Sequence, residues 1–563
     1  MGMTYTPDHI MAAGTAITFV VLRKLDLSLL WWPVGLLMHI FAYWFIWHAL
    51  LWPLIFSELR HVPTVPGFPL WGQFLPIITE ECGLPQRRWH YEHGPVIRYF
   101  FPLGFERLSL ADEESISHVT NKNPYNFPKP LRAKLWMMRI LGDGVLLAEG
   151  QEHIDQRKTL NAGFSTSAIR SFVPIFWQKS LLMVDQQQLE FQELEKDGAE
   201  VMKIDALDWL NRCTLDIIGI AGFKFELGAL LDPLLPLRNA YKLVFKFDSW
   251  SRTMHGIQAF FPQSQRWPCQ MNKDMEEARV IIQDKAETII REKLHIAEKN
   301  KSGKDVLTLI AQENLKQRSE GFPGLSRDNI RDQIMTFLGA GHDTTATGAA
   351  WTIQLLANFP EIQDRLRNEI RERMPFLFNP DWHFDPDAPV TDPDLLPYLS
   401  NVCRESLRHI PPIPMTVREA LRDDVIKGYK IPKGTILYML ANAINHMYWF
   451  WGDEPNDFDP DRWDDLPETV VPSAMLTFLQ GPRGCIGRKF AEIEMKILLC
   501  VMLSRWEFLP DYSTKDPEDW KMWRLVLRPK YGVPMLVRPV PEWDGVSYFS
   551  RPHYDKPMDG SAD

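Results

Sequence analysis

From Leu29 to Phe56 the chain runs 28 residues without a formal charge, and an apolar run of that length is not left in water. As a helix rising ~1.5 Å per residue it is about 42 Å long, against roughly 30 Å of bilayer hydrocarbon. Trp31 and Trp32 near one end and Trp52 near the other stand about 30 Å apart on the same rise, where interfacial aromatic belts lie. A transmembrane anchor is expected. A buried soluble helix is the alternative, but few globular helices are so long and so uniformly apolar. His39, His48, Pro33 and Pro53 fit a span least well. Ile10 to Leu22, closed by Arg23 and Lys24, is short for a span and is expected at the interface. A cleaved export signal fits poorly, because the first eight residues hold no Lys or Arg.

The rest reads as one large folded body. Apolar residues make up 45% and charged residues 24%, which argues against wholesale disorder and against a polytopic membrane protein. With 72 acidic against 62 basic residues the net charge is −10, which offers nucleic-acid phosphates no general attraction. His61 to Gly72 holds three prolines and is expected as a stiff spacer. The expected division is 1–28 N-terminal segment, 29–56 anchor, 57–72 proline-rich hinge, 73–542 main folded domain and 543–563 loose tail. Helical spacing marks Asp274 to Glu298 and Gln333 to Ala357, while Val96 to Phe101, Val425 to Ile431, Ile436 to Leu440 and Val533 to Val537 read as strands. The expected fold is mainly α with small β-sheets.

The six cysteines stand at 82, 213, 269, 403, 485 and 500, too scattered for a disulfide framework and with no C-x-x-C pair. A metal-binding cysteine here works alone. Most lone cysteines are small buried hydrophobes, but Cys485 lies in Phe478-Leu-Gln-Gly-Pro-Arg-Gly-Cys-Ile-Gly487, followed by a helical stretch. Gly481, Gly484 and Gly487 allow backbone to approach a flat ligand, and N–H groups at a helix start favour a thiolate.

This loop resembles the cysteine loop of the cytochrome P450 family, F-x-x-G-x-R-x-C-x-G, at all five fixed positions: Phe478, Gly481, Arg483, Cys485 and Gly487. The resemblance implies haem b (iron protoporphyrin IX) with Cys485 as proximal ligand, Arg483 on a propionate and Phe478 beside the sulfur; a thiolate ligand favours O–O cleavage. Ala340-Gly-His-Asp-Thr-Thr345 is similar to the family's oxygen-side motif. It implies an acid–alcohol proton relay through Asp343 and Thr344, with His342 at a variable position. Gly339 and Gly341 cost about 1 kcal/mol each against Ala and invite a local distortion of that helix; on a plainer reading they only let helices pack closely. Glu405-Ser-Leu-Arg408 and Phe458-Asp-Pro-Asp-Arg-Trp463 imply a buried structural network of Glu405, Arg408 and Arg462. Arg157 and Arg418 are the other propionate cations by position. His153 stands where the commoner family form has Trp, so its haem contact is open between a hydrogen-bond donor and a structural residue.

By the same resemblance the chain is a monooxygenase drawing electrons from NADPH through a separate NADPH–cytochrome P450 reductase, with cytochrome b5 as a further possible partner. The chain itself has no G-x-G-x-x-G fingerprint. Lys158, Arg488, Lys489 and Lys496 are docking candidates, with plain surface charge as the competing reading. The body is expected on the cytosolic face of the endoplasmic reticulum, leaving Asn300-Lys-Ser302 an unused sequon. Residues 123–146, 337–344, 410–416 and 530–533 are expected to line an apolar pocket. The motifs look like those of filamentous-fungal members that tailor terpenoids or polyketides. Fatty-acid or xenobiotic hydroxylation is the alternative; outside that class stand a haem-thiolate isomerase or dehydratase, and a haem-binding protein without catalysis.

Overall fold

The computed structural model describes residues 32–540, apart from stretches within 246–261, 300–302, 380–392, 514–520, 524–525 and 530, together with residues 16, 20, 23 and 24. The sequon at 300–302, Lys530 and the tail beyond 540 lie outside the described residues, as does most of 10–22.

Helix α1 (Trp32–Ile46) continues into π-helical turns at Trp47–Phe56 that contain Pro53. Proline lacks an N–H and its ring crowds the carbonyl four residues back, so a wider ladder relieves the clash. Residues 33–56 form one helix long and apolar enough to cross a membrane, with Leu37, Met38 and Phe41 exposed. Its far end is gripped by the hairpin of β1 (Val96–Phe101) and β2 (Phe105–Leu110). Glu106 accepts hydrogen bonds from the Trp52 indole at 3.1 Å and the Ser57 hydroxyl at 2.6 Å. Arg98, buried against Glu106 at 2.6 Å, donates to the Pro53 carbonyl at 2.5 Å. Beyond it the proline-rich segment does not stand free: Val62 and Val65 are buried, and Thr64 bridges Arg98 at the edge of β1.

Among the helices that pack into the interior are α2 (Leu131–Leu141), α3 (Gly150–Leu160), α4 (Thr166–Glu195), α5 (Ala206–Phe223), α6 (Pro236–Phe245), α7 (Arg327–Asn358), α8 (Pro397–His409) and α9 (Arg488–Arg505). Helix α7 starts at a capping box in which Ser326 and Asn329 satisfy each other's backbone N–H, and it is buried almost all round, as a central helix must be. No break interrupts it at the glycines. A Cβ on Gly339 would lie 2.5 Å from Leu141, and one on Gly341 3.1 Å from Ile218. The glycines therefore serve close packing of α2 and α5 on α7, and the expected distortion is not seen.

Among the described residues four small sheets frame the helices. The largest has the order β1-β2-β7-β4, in which β4 (Thr416–Glu419) pairs antiparallel with β7 (Ile436–Met439), setting Arg418 opposite Leu437. Strands β5 (Asp424–Ile426) and β6 (Tyr429–Ile431) form a hairpin. Strand β11 (Pro534–Pro539) lies between β3 (Met202–Asp205) and β8 (Trp506–Pro510), and β9 (Lys521–Trp523) pairs with β10 (Leu527–Pro529).

Candidate active site

Cys485 lies between a single 3-10 turn, Gly481–Arg483, and the start of α9 at Arg488. Its N–H donates to the Phe478 carbonyl at 2.8 Å, and Gly484 N–H closes onto Gly481 at 2.9 Å. Gly481 has φ +72°, and a Cβ there would stand 2.1 Å from the Thr120 carbonyl oxygen, so no side chain fits. Leu479 is also held at φ +55°, strain that the tight loop imposes. Gly487 differs: a Cβ there would have the Phe164 ring as its nearest neighbour, at 3.9 Å. The protein's own packing does not require that glycine.

The Cys485 side chain is surrounded by protein as densely as a core residue, yet it is exposed. The two facts agree if the sulfur looks into an internal space. Burial pushes the thiol up from its ordinary range, while the Gly487 N–H and the Arg157 guanidinium pull it down without cancelling the effect. A thiolate here needs a positive partner facing it. Among the described residues no three His, Cys, Asp or Glu side chains form a metal-binding group.

Around the loop gather more cations than the protein balances. Arg157 on α3 donates to the Gly484 carbonyl at 2.7 Å. Arg483 donates to the Pro124 carbonyl at 2.5 Å, pairs with Glu149, and lies over the Tyr125 ring at 4.8 Å. Arg418, 3% exposed, reaches the Thr416 hydroxyl at 2.5 Å and the Val417 carbonyl at 2.8 Å. Lys129 stands 3.6 Å from Glu149. Burial, then the neighbouring cations, bring Lys129 down to about 7 and Arg418 to about 10. His153, also lowered mainly by burial, to about 4, is a neutral ring hydrogen-bonded to the Tyr125 hydroxyl at 3.1 Å. The Glu149 carboxylate meets two of these cations, Lys129 and Arg483. A ligand bearing two carboxylates and an electrophilic centre suits this surround and sulfur, as haem would. Glu149 was not foreseen from the sequence, and Tyr125 and Lys129 entered only as members of the pocket-lining stretch 123–146, although the Pro128-Lys-Pro130 setting, which fixes a lysine in extended backbone, was a usable signal of its role.

On α7, from Gln333 to Ala357, Ala340, Gly341 and Thr344 alone are not buried. They lie on one side, at helical spacing. The Thr344 hydroxyl donates to the Ala340 carbonyl at 2.9 Å. Asp343 does not bond to Thr344; its carboxylate is paired with Arg528 of β10, whose Nε donates to Oδ2 at 3.1 Å. His342 turns away onto Tyr241, ring centroids 4.6 Å apart, with burial lowering it to about 4.

Glu405, Arg408 and Arg462 do meet. Arg408 forks onto Glu405 at 2.6 and 2.8 Å, and Arg462 Nε reaches the same carboxylate at 3.3 Å. Of the docking candidates, Lys158, Arg488 and Lys489 are exposed. Lys158 lies over the Phe322 ring at 4.5 Å. Lys496 is corrected: its side chain is largely buried and bonded to Asp394 at 2.5 Å, because it sits on the inward face of α9. A surface cleft of about 580 Å³ near Arg139, Trp267 and Lys273 contains none of the candidate site residues.

The sequence profile of the Cytochrome P450 family matches residues 62–535. Relatives include Cytochrome P450 monooxygenase FUM15 of Gibberella moniliformis, 33% identical over 94% of this chain and 95% of that protein. Cytochrome P450 monooxygenase ALT8 of Alternaria alternata is 32% identical over 89% of this chain and 93% of its own length. Ganoderic acid synthetase CYP5150L8 of Ganoderma lucidum is 27% identical over 85% of this chain and 92% of its own.

Proposed function

The chain belongs to the cytochrome P450 family, and from that premise we propose that it is a membrane-anchored fungal monooxygenase acting on a lipophilic small molecule in secondary metabolism. The observation that carries the reading is Cys485, an exposed thiol in a tight loop with Arg157, Arg483, Arg418 and Lys129 gathered near it. Bound at that sulfur, haem b supplies the site for dioxygen and for electrons delivered one at a time. Arg157, Arg418, Arg483 and Lys129 are suited to its propionates, with charge-assisted hydrogen bonds fixing the ring. The Glu405–Arg408–Arg462 network supports the loop and touches no reactant. Thr344 and Asp343 move protons on the oxygen side, a role that demands positioned donors. The buried apolar residues of α7 around them keep bulk water out.

Electrons come from a separate NADPH–cytochrome P450 reductase, docked against Arg488, Lys489 and Lys158. Access to that enzyme places the body on the cytosolic face of the endoplasmic reticulum. The word synthetase in the name of the Ganoderma lucidum relative favours a biosynthetic over a detoxifying role. The reading is tested by expressing the full chain in microsomes with the reductase and identifying the product formed from candidate lipophilic substrates. Turnover that continues without NADPH and oxygen sinks the monooxygenase reading. A thiolate signature in the reduced carbon monoxide difference spectrum that survives Cys485→Ala sinks the ligand assignment.

A further inference from the structure

We infer that Arg528 is a positioning residue for proton delivery: reaching over from β10, its Nε donates to Asp343 Oδ2 at 3.1 Å and its guanidinium is ion-paired with the same carboxylate. The inference rests on the reading of Asp343 as a proton relay and adds a residue that no sequence motif marks. The Asp343 side chain is 1% exposed and that of Arg528 20%. A carboxylate so buried is either neutral or paired, and a planar guanidinium fork is the partner that favours the ionised form.

Arg528 is fixed where it stands. The N–H of the preceding residue, Leu527, donates to the Pro412 carbonyl at 2.7 Å, and the Leu527 carbonyl accepts from the Trp351 indole on α7 at 2.8 Å. The hairpin is thereby tied on one side to a segment expected to border the pocket and on the other to the helix carrying Asp343. The remaining titratable groups nearby do not take over the role. Asp205, the N-cap of α5, is the other carboxylate near Arg528 and is engaged with the N–H groups of Leu207 and Val533. His342 faces Tyr241. Glu494 on α9 lies beside Thr345, and burial drives its carboxyl far up toward the neutral acid.

The consequence is a relay whose resting form is set from outside its own helix. Asp343 waits as an acceptor. When one oxygen swings clear of the fork and takes up a proton, it passes that proton to the Thr344 oxygen while the hydroxyl gives its own proton forward, and both side chains end as they began. Without the fork the buried carboxyl takes up a proton at rest, and delivery loses its direction.

The test uses the full chain with its reductase and the substrate found above, in four variants: Arg528→Met, Arg528→Lys, Asp343→Asn and Asp343→Asn with Arg528→Met. Product and peroxide formed per NADPH are read across pH 6 to 9, with the carbon monoxide spectrum reporting an intact loop. Arg528→Met is expected to cut product per NADPH about tenfold, with peroxide taking its place and the pH profile displaced. Arg528→Lys, which keeps the charge and loses the fork, falls between. In the Asp343→Asn background, Arg528→Met adds less than about twofold, because the arginine acts through the carboxylate. A readout without turnover accompanies these. Thermal melts of Arg528→Met lose stability relative to the parent as pH rises from 5 to 8, since its folded form holds a proton that the unfolded chain has released, and Asp343→Asn abolishes that slope. Unchanged coupling and pH profile in Arg528→Met, or effects of the two substitutions that simply multiply, overturn the inference. Unchanged coupling in Asp343→Asn overturns instead the relay reading beneath it. If Arg528→Met shows no intact spectrum, the intermediate value of Arg528→Lys and its disappearance beside Asp343→Asn decide the matter.

Discussion

Glu405 and Arg408 are joined by two hydrogen bonds of 2.6 and 2.8 Å, and neither side chain is reached by solvent. The other guanidinium donors go to the carbonyls of Asn445, Pro455 and Asp457 at 2.6–2.9 Å, while Glu405 also accepts from Asp459 N–H and the Trp463 indole. Arg408→Ala leaves a buried carboxylate without its main partner and is expected to cost about 3–5 kcal/mol, read by chemical denaturation. Exchanging the two residues does not restore stability, because a carboxylate at 408 meets three carbonyl oxygens.

Lys129 gives the pH dependence. Its folded value of about 7 lies below the ordinary lysine range because of burial and of Arg418 beside it. Between the two values the folded body holds fewer protons than the unfolded chain. The penalty is therefore fully present below pH 7 and fades as pH rises toward about 10. Haem-free Lys129→Met should melt higher than the parent at pH 6, with the gap closing toward pH 10; a lower melting point at pH 6 contradicts the assignment. An anionic propionate favours charged Lys129, so haem transfer to an acceptor protein should quicken above pH 7 in the parent and lose that step in the variant.

Two glycines of the same loop separate by sterics. Gly481→Ala drives a Cβ into the Thr120 carbonyl at positive φ, and the expected result is protein without the thiolate spectrum. Gly487→Ala meets no protein atom closer than 3.9 Å. Its apo fold should melt with the parent, so any defect confined to haem loading locates the ring over that residue.

Charge reversal distinguishes α9's outer face from its inner one. Arg488→Glu with Lys489→Glu should raise the KM for the reductase and flatten its salt dependence, as rim charges govern encounter. Lys496→Met should leave that KM in place and lower stability instead, since it strips a partner from Asp394.

Local patterns were legible and distant pairings were not. Strand β1 matches the residues read as Val96 to Phe101, and the helix read from Gln333 to Ala357 begins earlier, at Arg327. Both depend on periodicity within one segment. The cysteine loop was readable because its geometry demands glycine at a fixed place. Arg528 was not: 185 residues separate it from Asp343, and nothing around it in sequence announces a buried partner. Lys496 was misplaced by reading charge without face, although its neighbours Met495 and Ile497 to Leu503 are all buried. The role given to Gly339 and Gly341 depended on which helices lean against α7, a tertiary fact.

Glu106 receives both Trp52 and Ser57 while Arg98 closes on Pro53, so the apolar helix joins the body as a built-in beam and not as a tether. Set in a bilayer, such a beam makes tilt and riding height properties of the β1–β2 hairpin instead of linker length. A foreign apolar helix grafted ahead of Val62 would lack these contacts, and its angle to the body would be released.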